Sequence, residues 1–300
     1  MRQYNAFGLN IASEFELPSL ISTSFKKADV CIRKGSVCKK GLKNPWRTRP
    51  FCQQAPSEIW LHVPEVARFY ITRGNEVIVE PCMNSDQQSV RLFILGSCLG
   101  AVMHQRNRLV IHGNAIRIGD SCVIFAGKSG TGKSTLAAAF YQRGYEVLAD
   151  DLSVIDQQLN VQPSYPQIKL WHDTVEKLGL DICELNKIRL QIDKYAYPMA
   201  ERFCQKPLPV RAVYVLNNHR NDQILFQAIE GGDKLPPLKN HTYRRGYIDG
   251  LGIQAQHFKL CSQLANQIEM TRVTRPSHKF EIDRLVESIE ADLRGKVLAA

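Results

Sequence analysis

The run GKSGTGKST, Gly127 to Thr135, constrains what this chain can fold into more than any other stretch. Gly127, Gly132, Lys133 and Ser134 satisfy the phosphate-loop spacing G-x-x-x-x-G-K-[ST]. By composition alone such a match arises on the order of once in a hundred chains of this length. Its surroundings fit as well: the apolar run SCVIFAG enters the loop, and STLAAAFYQRG, rich in helix formers and ending on Gly144, leaves it. Glycines let backbone N–H groups turn inward around phosphate oxygens, and a helix N-terminus adds partial positive charge. Gly127, Lys128, Ser129, Gly130, Thr131, Gly132, Lys133, Ser134 and Thr135 are therefore the expected nucleotide-binding residues. Lys133 reaches the β/γ-phosphates, the Ser134 hydroxyl ligates Mg²⁺, and the implied cofactors are ATP and Mg²⁺.

Upstream, LVIHGNAIRIGDSCVIFAG sets two β-rich runs around Gly119-Asp120, which suits an antiparallel hairpin with a two-residue turn. If Ile118 pairs with Ser121, His112 falls opposite Gly127, at the mouth of the loop. A histidine there orients a base or stabilises phosphoryl charge; a satisfied core histidine is the competing reading. Downstream, YEVLADD is the next strand, expected beside the loop strand with its C-terminal end on the same crevice. At a strand end both Asp150 and Asp151 turn toward the site: one carboxylate holds Mg²⁺ or its water, and the other accepts a proton from an incoming hydroxyl. We assign Ser134 and Asp151 to the metal and Asp150, Asp151, His112 and Lys133 to catalysis, with the base open between the two aspartates. Arg244 and Arg245 are candidates for the late positive charge of phosphoryl transfer, against a solvated basic turn; Lys169 and Lys194 rank behind them.

The first third reads as short strands and turns, FGLNIASEFEL, ADVCIRKG, SEIWLHV and ARFYITRGNEVIVEP, with Gly74-Asn75 marking a hairpin. Val90, Phe93, Ile94, Ser97, Cys98, Ala101 and Val102 then recur at helical spacing. The expected division is a β-rich N-terminal module, residues 1–86, and a nucleotide-binding catalytic domain, residues 87–300, which opens on a connecting helix over 87–106. LSVIDQQLNVQP reads as further strand, 167–180 as a strand and short helix, VRAVYVLNN as a strong strand, and 254–267 and 280–293 as amphipathic helices. The fold class is α/β, of the α+β kind.

At 300 residues and 44% hydrophobic content the chain can bury a sizeable core. No apolar run approaches the ~20 residues of a bilayer crossing. The N-terminus shows no apolar core with a cleavage site, so the expectation is a cytoplasmic protein with no membrane partner. Nine cysteines form no CxxC pair, which suits reduced thiols. The 39 Lys+Arg against 29 Asp+Glu give +10 and favour anionic partners. Arg33, Lys34, Lys39, Lys40, Lys43, Arg47 and Arg49 fall in one stretch without an acid, which is a solvated loop or a dock for an acidic peptide, nucleic acid or protein face.

IHGNAI followed by FAGKSGTGKSTLAAAFYQRGYEVLADD resembles the catalytic core of the bacterial HPr kinase/phosphorylase family, where a His-Gly pair precedes a phosphate loop and a DD strand follows it. YNAFGLNIASEFELPSL, VRLFILGSCLGAVMHQRNRLVIHGNAI, YPQIKLW and HTYRRGYIDGLGIQAQHF extend the resemblance to HPr-kinase-related proteins, including kinases of lasso-peptide and other peptide-modification clusters. That resemblance implies a P-loop core related to phosphoenolpyruvate carboxykinases. It also implies phosphate transfer from ATP to a serine hydroxyl of a peptide or small protein. By the same resemblance Gly127 to Thr135 are the loop, Asp150 and Asp151 the base and metal partner, and His112 lies near the transferred phosphoryl. The Glu-Ile-Arg-Gly-like signature of HPr kinases has no clear match here, so phosphorylase activity and HPr as acceptor are not carried over, and the N-terminal module carries no sign of the regulatory domain of long HPr kinases, so hexameric control is not carried over either. Nucleic acid is not an expected partner, and the oligomeric state is left open. Two other functions fit the same loop: an ATPase that switches a partner interaction, and a kinase of free serine or a similar metabolite.

Overall fold

A computed structural model describes residues 1–189 and 191–298, with side chains through residue 295. The strands β1 (Arg2–Ala6), β2 (Leu9–Ser13), β3 (Ile21–Ser22), β4 (Val30–Lys34), β5 (Arg47–Arg49), β6 (Cys52–Ala55), β7 (Glu58–Val63), β8 (Ala67–Thr72) and β9 (Glu76–Pro81) form one sheet. Its order is β3-β1-β2-β4-β9-β8-β7-β6-β5. Phe69 and Ile71 on β8 and Val77 and Val79 on β9 recur at period two and are fully buried, so one face of the sheet is apolar and requires a cover. The β8–β9 hairpin pairs Thr72 with Glu76, and Asn75 N–H donates to the Thr72 carbonyl at 3.2 Å. Its turn is thus centred on Arg73-Gly74, one residue before the expected Gly74-Asn75.

The cover is one continuous helical run, α1 (Gln87–Phe93), a π-helical segment (Ile94–Cys98) and α2 (Leu99–Gln105), which matches the helix expected over 87–106. Asp86 starts it by accepting from the N–H groups of Gln88 and Ser89. Val90, Ile94, Leu99 and Val102 close the first core against the sheet, and this core continues into Val110, Leu152, Val154 and Tyr165.

Beyond the helix, β10 (Leu109–Ile118) and β11 (Ser121–Gly127) form the expected hairpin; Ile118 faces Ser121 and Gly113 faces Ala126, which brings His112 level with Gly127. The rest of the chain is α3 (Lys133–Gln142), β12 (Val147–Ala149), β13 (Leu152–Ile155), β14 (Asn160–Gln162), β15 (Gln167–Trp171), α4 (His172–Lys177), β16 (Asn186–Arg189) and β17 (Ile192–Pro198). It closes with β18 (Leu208–His219), β19 (Leu225–Ala228), α5 (Leu235–Asn240), α6 (Gly246–Leu251), α7 (Gln254–Gln267), β20 (Glu269–Pro276) and α8 (Ile282–Leu298). Because β18 pairs with β14 at its start and with β11 further along, β11, β10, β13, β14 and β18 close into a ring of hydrogen-bonded strands. Alternation on β11 divides two cores: Cys122, Ile124 and Ala126 face Leu260 and Leu264 of α7, while Val123 and Phe125 face α3 and α8. A separate three-stranded sheet, β15-β17-β16, flanks the ring.

Two expectations change. The strand that carries the aspartates does not lie beside the loop strand: β12 pairs antiparallel with β10, and the other neighbour of β11 is the parallel β18. The local β10–β11 hairpin already occupies that edge, since a two-residue turn closes at lower entropic cost than a helical crossover. The strand expected over 152–163 is a hairpin, β13–β14, because Asp156 accepts from the N–H groups of Gln158 and Asn160 and turns the chain.

All nine cysteines are free thiols. Among the described residues no helix is long and apolar enough to cross a membrane. Of the basic run, Arg33 pairs with Glu76, and Arg47 reaches Asp249 at 2.8 Å and the Gly246 carbonyl at 3.0 Å, so these two cations have structural partners. The stacked Phe125 and Phe140 rings, 5.4 Å apart, join the loop strand to α3. Phe140→Ala is expected to lower the unfolding free energy by about 3–5 kcal/mol in urea denaturation; a loss below about 1 kcal/mol would contradict this packing role.

Candidate active site

The loop takes its shape from two glycines. A Cβ on Gly127 would sit 2.8 Å from both the Leu216 carbonyl and Thr131 Oγ1, so only glycine allows β11 to run this close to β18. Gly132, at φ 94°, turns the chain in the left-handed region directly before α3. Lys133 Nζ donates to the carbonyls of Gly127 (2.9 Å) and Lys128 (3.0 Å), so its ammonium is folded back over the loop. Arg275, at the end of β20, donates from Nε and Nη2 to the Thr131 carbonyl at 3.2 and 3.1 Å. A cleft of about 310 Å³ opens over the loop, bordered by Ser129 to Thr135 on one side and by His112, Asp151, Lys169 and Lys194 on the other.

The aspartates sit at a break in one long antiparallel track. β13 and β12 both pair with β10, in the order His112↔Leu152 and Ala115↔Ala149, so Asp150 and Asp151 lie across from Asn114 and Gly113. Asp151 has φ 73°, a left-handed conformation that costs a non-glycine residue about 1–2 kcal/mol and that aspartate tolerates better than most. This kink sends the two carboxylates in different directions. Asp150 is 2% exposed; its Oδ1 accepts from Ser134 Oγ at 3.0 Å and from Asn114 Nδ2, and its Oδ2 accepts from the Lys169 N–H at 2.8 Å. Asp151 faces the cleft, with Oδ1 3.0 Å from His112 Nδ1 and Oδ2 3.3 Å from Lys169 Nζ.

Electrostatics separates the pair further. Burial, together with the Asp151 charge, pushes the Asp150 carboxyl up, against the Lys169 ammonium and the hydrogen bonds it accepts. Burial also opposes ionisation of Asp151, but the Lys169 ammonium and His112 outweigh it and hold this carboxyl well below the usual carboxylate range. Burial disfavours the Lys169 charge as well, yet Tyr165, Asp151 and Asp150 keep its pKa well above the ordinary lysine value. His241, whose carbonyl accepts from the His112 N–H at 2.7 Å, is pushed down to about 4 by burial and by Lys133, His112 and Lys128, so it is neutral at pH 7.

The expected residues are thus brought together in part. The loop, Lys133, Ser134, Asp150, Asp151 and His112 share one site, but Ser134 meets Asp150 and not the Asp151 assigned beside it. Arg244 and Arg245 stay outside: Arg244 donates to Ser97 Oγ at 2.8 Å and Arg245 to Asn240 Oδ1 at 3.1 Å. The reason is local. The segment from His241 to Tyr243 runs along β10, where the Tyr243 N–H donates to the Val110 carbonyl and the Tyr243 ring lies 5.8 Å from His112, so the arginines that follow point past the site. Lys169 and Lys194, ranked behind them, border the cleft, and Arg275 and Asn114 were not singled out at all. Asn114 had a legible signal, a lone amide in an apolar strand across from the aspartates. Arg275 had none, since only the parallel pairing of β18 and β20 carries it to the loop.

The donor set beside Ser134 suits a hard cation. Asn114 and Ser134 both donate to Asp150 Oδ1, Asn114 Oδ1 is buried without a hydrogen-bond partner, and these three side chains offer oxygen donors of the kind Mg²⁺ takes.

Because its pKa is depressed, Asp151 is expected to stabilise the fold fully above the ordinary carboxylate pKa, and to lose that contribution as pH falls through its own lower value. Lys169→Met is expected to raise the Asp151 pKa toward the ordinary range in a carboxyl ¹³C titration; an unmoved Asp151 titration would contradict the pairing.

The chain matches no protein-family model and no curated protein. Among solved structures, the Hpr(Ser) kinase/phosphatase from Coxiella burnetii is similar over 63% of this chain and 93% of its own, at 15% identity and a TM-score of 0.34.

Proposed function

We propose that this protein is an ATP- and Mg²⁺-dependent kinase that transfers the γ-phosphate to a serine hydroxyl of a peptide or small protein. The observation that carries this reading is the divided pair: Asp150 locked to Ser134 at the loop, and Asp151 turned to the cleft side, paired with His112 and Lys169. A hydrolytic switch needs a phosphate loop and a metal carboxylate; it does not require a second carboxylate turned to the acceptor side.

In the proposed reaction the loop N–H groups, the start of α3 and Lys133 take up phosphate charge. Ser134, Asp150 and Asn114 would hold Mg²⁺, which supplies charge neutralisation at the β- and γ-phosphate oxygens. The serine Oγ–P bond forms as the bond between the γ-phosphorus and the β,γ-bridging oxygen breaks, and Asp151 accepts the hydroxyl proton. Its depressed pKa keeps Asp151 ionised and open to the proton, and the weak basicity that comes with it is offset because phosphoryl transfer runs through a loose transition state, in which the attacking hydroxyl needs little prior activation. His112 fixes the Asp151 carboxylate, and Lys169 and Arg275 add positive charge around the transferring group.

Asp151→Asn is expected to lower the turnover of serine-peptide phosphorylation by about 100- to 10,000-fold while ATP affinity changes little. Incubation with γ-labelled ATP and serine peptides, followed by mass analysis, reads the outcome. Labelled phosphoserine supports the kinase; free phosphate alone, released faster when a partner protein is added, favours the switch, and labelled free serine favours a metabolite kinase.

A further inference from the structure

A second cleft, of about 570 Å³, runs between α1 and the β15-β17-β16 sheet. Among the described residues Lys169 alone borders both this cleft and the phosphate cleft, and its Nζ lies 3.3 Å from Asp151 Oδ2, so it stands between them. Leu92, Leu95, Ile188 and Pro198 supply apolar walls. The Tyr165 side chain also borders this cleft, with its hydroxyl buried beneath the surface. Among the described residues, β16 pairs only with β17 and is an edge strand. Among the described residues the cations Arg91, Lys169 and Lys187 and the acid Glu184 border the cleft. Arg91 and Lys187 are held by the exposed Glu16 and Asp193, solvated pairs that a ligand carboxylate can exchange for its own.

We propose that this cleft is the docking channel of an extended acceptor peptide, with apolar and acidic residues around its serine, which leads the hydroxyl past Lys169 to Asp151. The proposal rests on the kinase reading above and names where and how the acceptor binds. An edge strand takes an extended peptide by strand addition, with main-chain hydrogen bonds for affinity and side-chain pockets for specificity. The apolar walls receive alternate side chains of that peptide, and Arg91 and Lys187, exchanging their surface acids, receive its carboxylates.

The test uses a library of short serine peptides, flanked by Asp/Glu and Leu/Val/Phe and carrying a benzophenone cross-linker, with wild type, Leu92→Glu and Lys187→Glu. Cross-links to α1, β16 or β17 in the wild type are expected. Both variants are expected to raise KM for the acidic peptides by roughly tenfold with kcat and ATP binding unchanged, and Lys187→Glu regains affinity for peptides with Lys in place of Asp/Glu. Cross-links confined to other elements, or no cross-link at all, overturn the channel even where serine becomes phosphorylated. Cross-links in the cleft without any phosphoserine leave the channel standing and sink the kinase reading.

Discussion

The Asp150 carboxylate holds the site together. Within one buried group it accepts from Ser134 at the start of α3, from Asn114 on β10 and from the backbone of Lys169 on β15. Three elements far apart in sequence meet on two oxygens. An ionised carboxylate buried without partners would be very costly, so each of these donors is required by the burial itself. Loss of one donor would leave charge uncompensated where the loop of Gly127 to Thr135 is anchored.

Fixing Asp150 in this way releases Asp151 for another task. Had the chain continued as a regular strand, adjacent side chains would have pointed to opposite faces of the sheet. The left-handed Asp151 breaks that alternation and turns its carboxylate into the cleft, between His112 and Lys169. Strain of this kind is common where geometry serves function, and here it is offset by the ion pair and by the continued pairing of β13 with β10. Lys169 then has two roles through two different atoms: its backbone N–H steadies Asp150, and its ammonium keeps Asp151 ionised.

The parts of this arrangement that were legible in the sequence were the local ones. The loop spacing, the hairpin around Gly119-Asp120 and its register, and the helix over 87–106 follow from short-range rules, and His112 arrives level with Gly127 as that register requires. What was not legible depended on long-range pairing. The sequence carries no mark that β12 would land beyond β10, or that β20 would deliver Arg275 to Thr131. Arg244 and Arg245 looked suitable by charge, but charge without placement says little, and in that segment it is His241 and Tyr243 that reach His112. The direction in which each aspartate points was likewise not legible, since the kink at Asp151 is what separates them.

The most direct test of this account is calorimetric titration of ATP, with and without Mg²⁺, into wild type and Asp150→Asn. The account predicts that Mg²⁺ tightens ATP binding to the wild type and that this gain disappears in the variant, while Mg²⁺-free ATP binds both alike. An equal gain from Mg²⁺ in the two proteins would contradict the assignment of Asp150 and Ser134 to the cation.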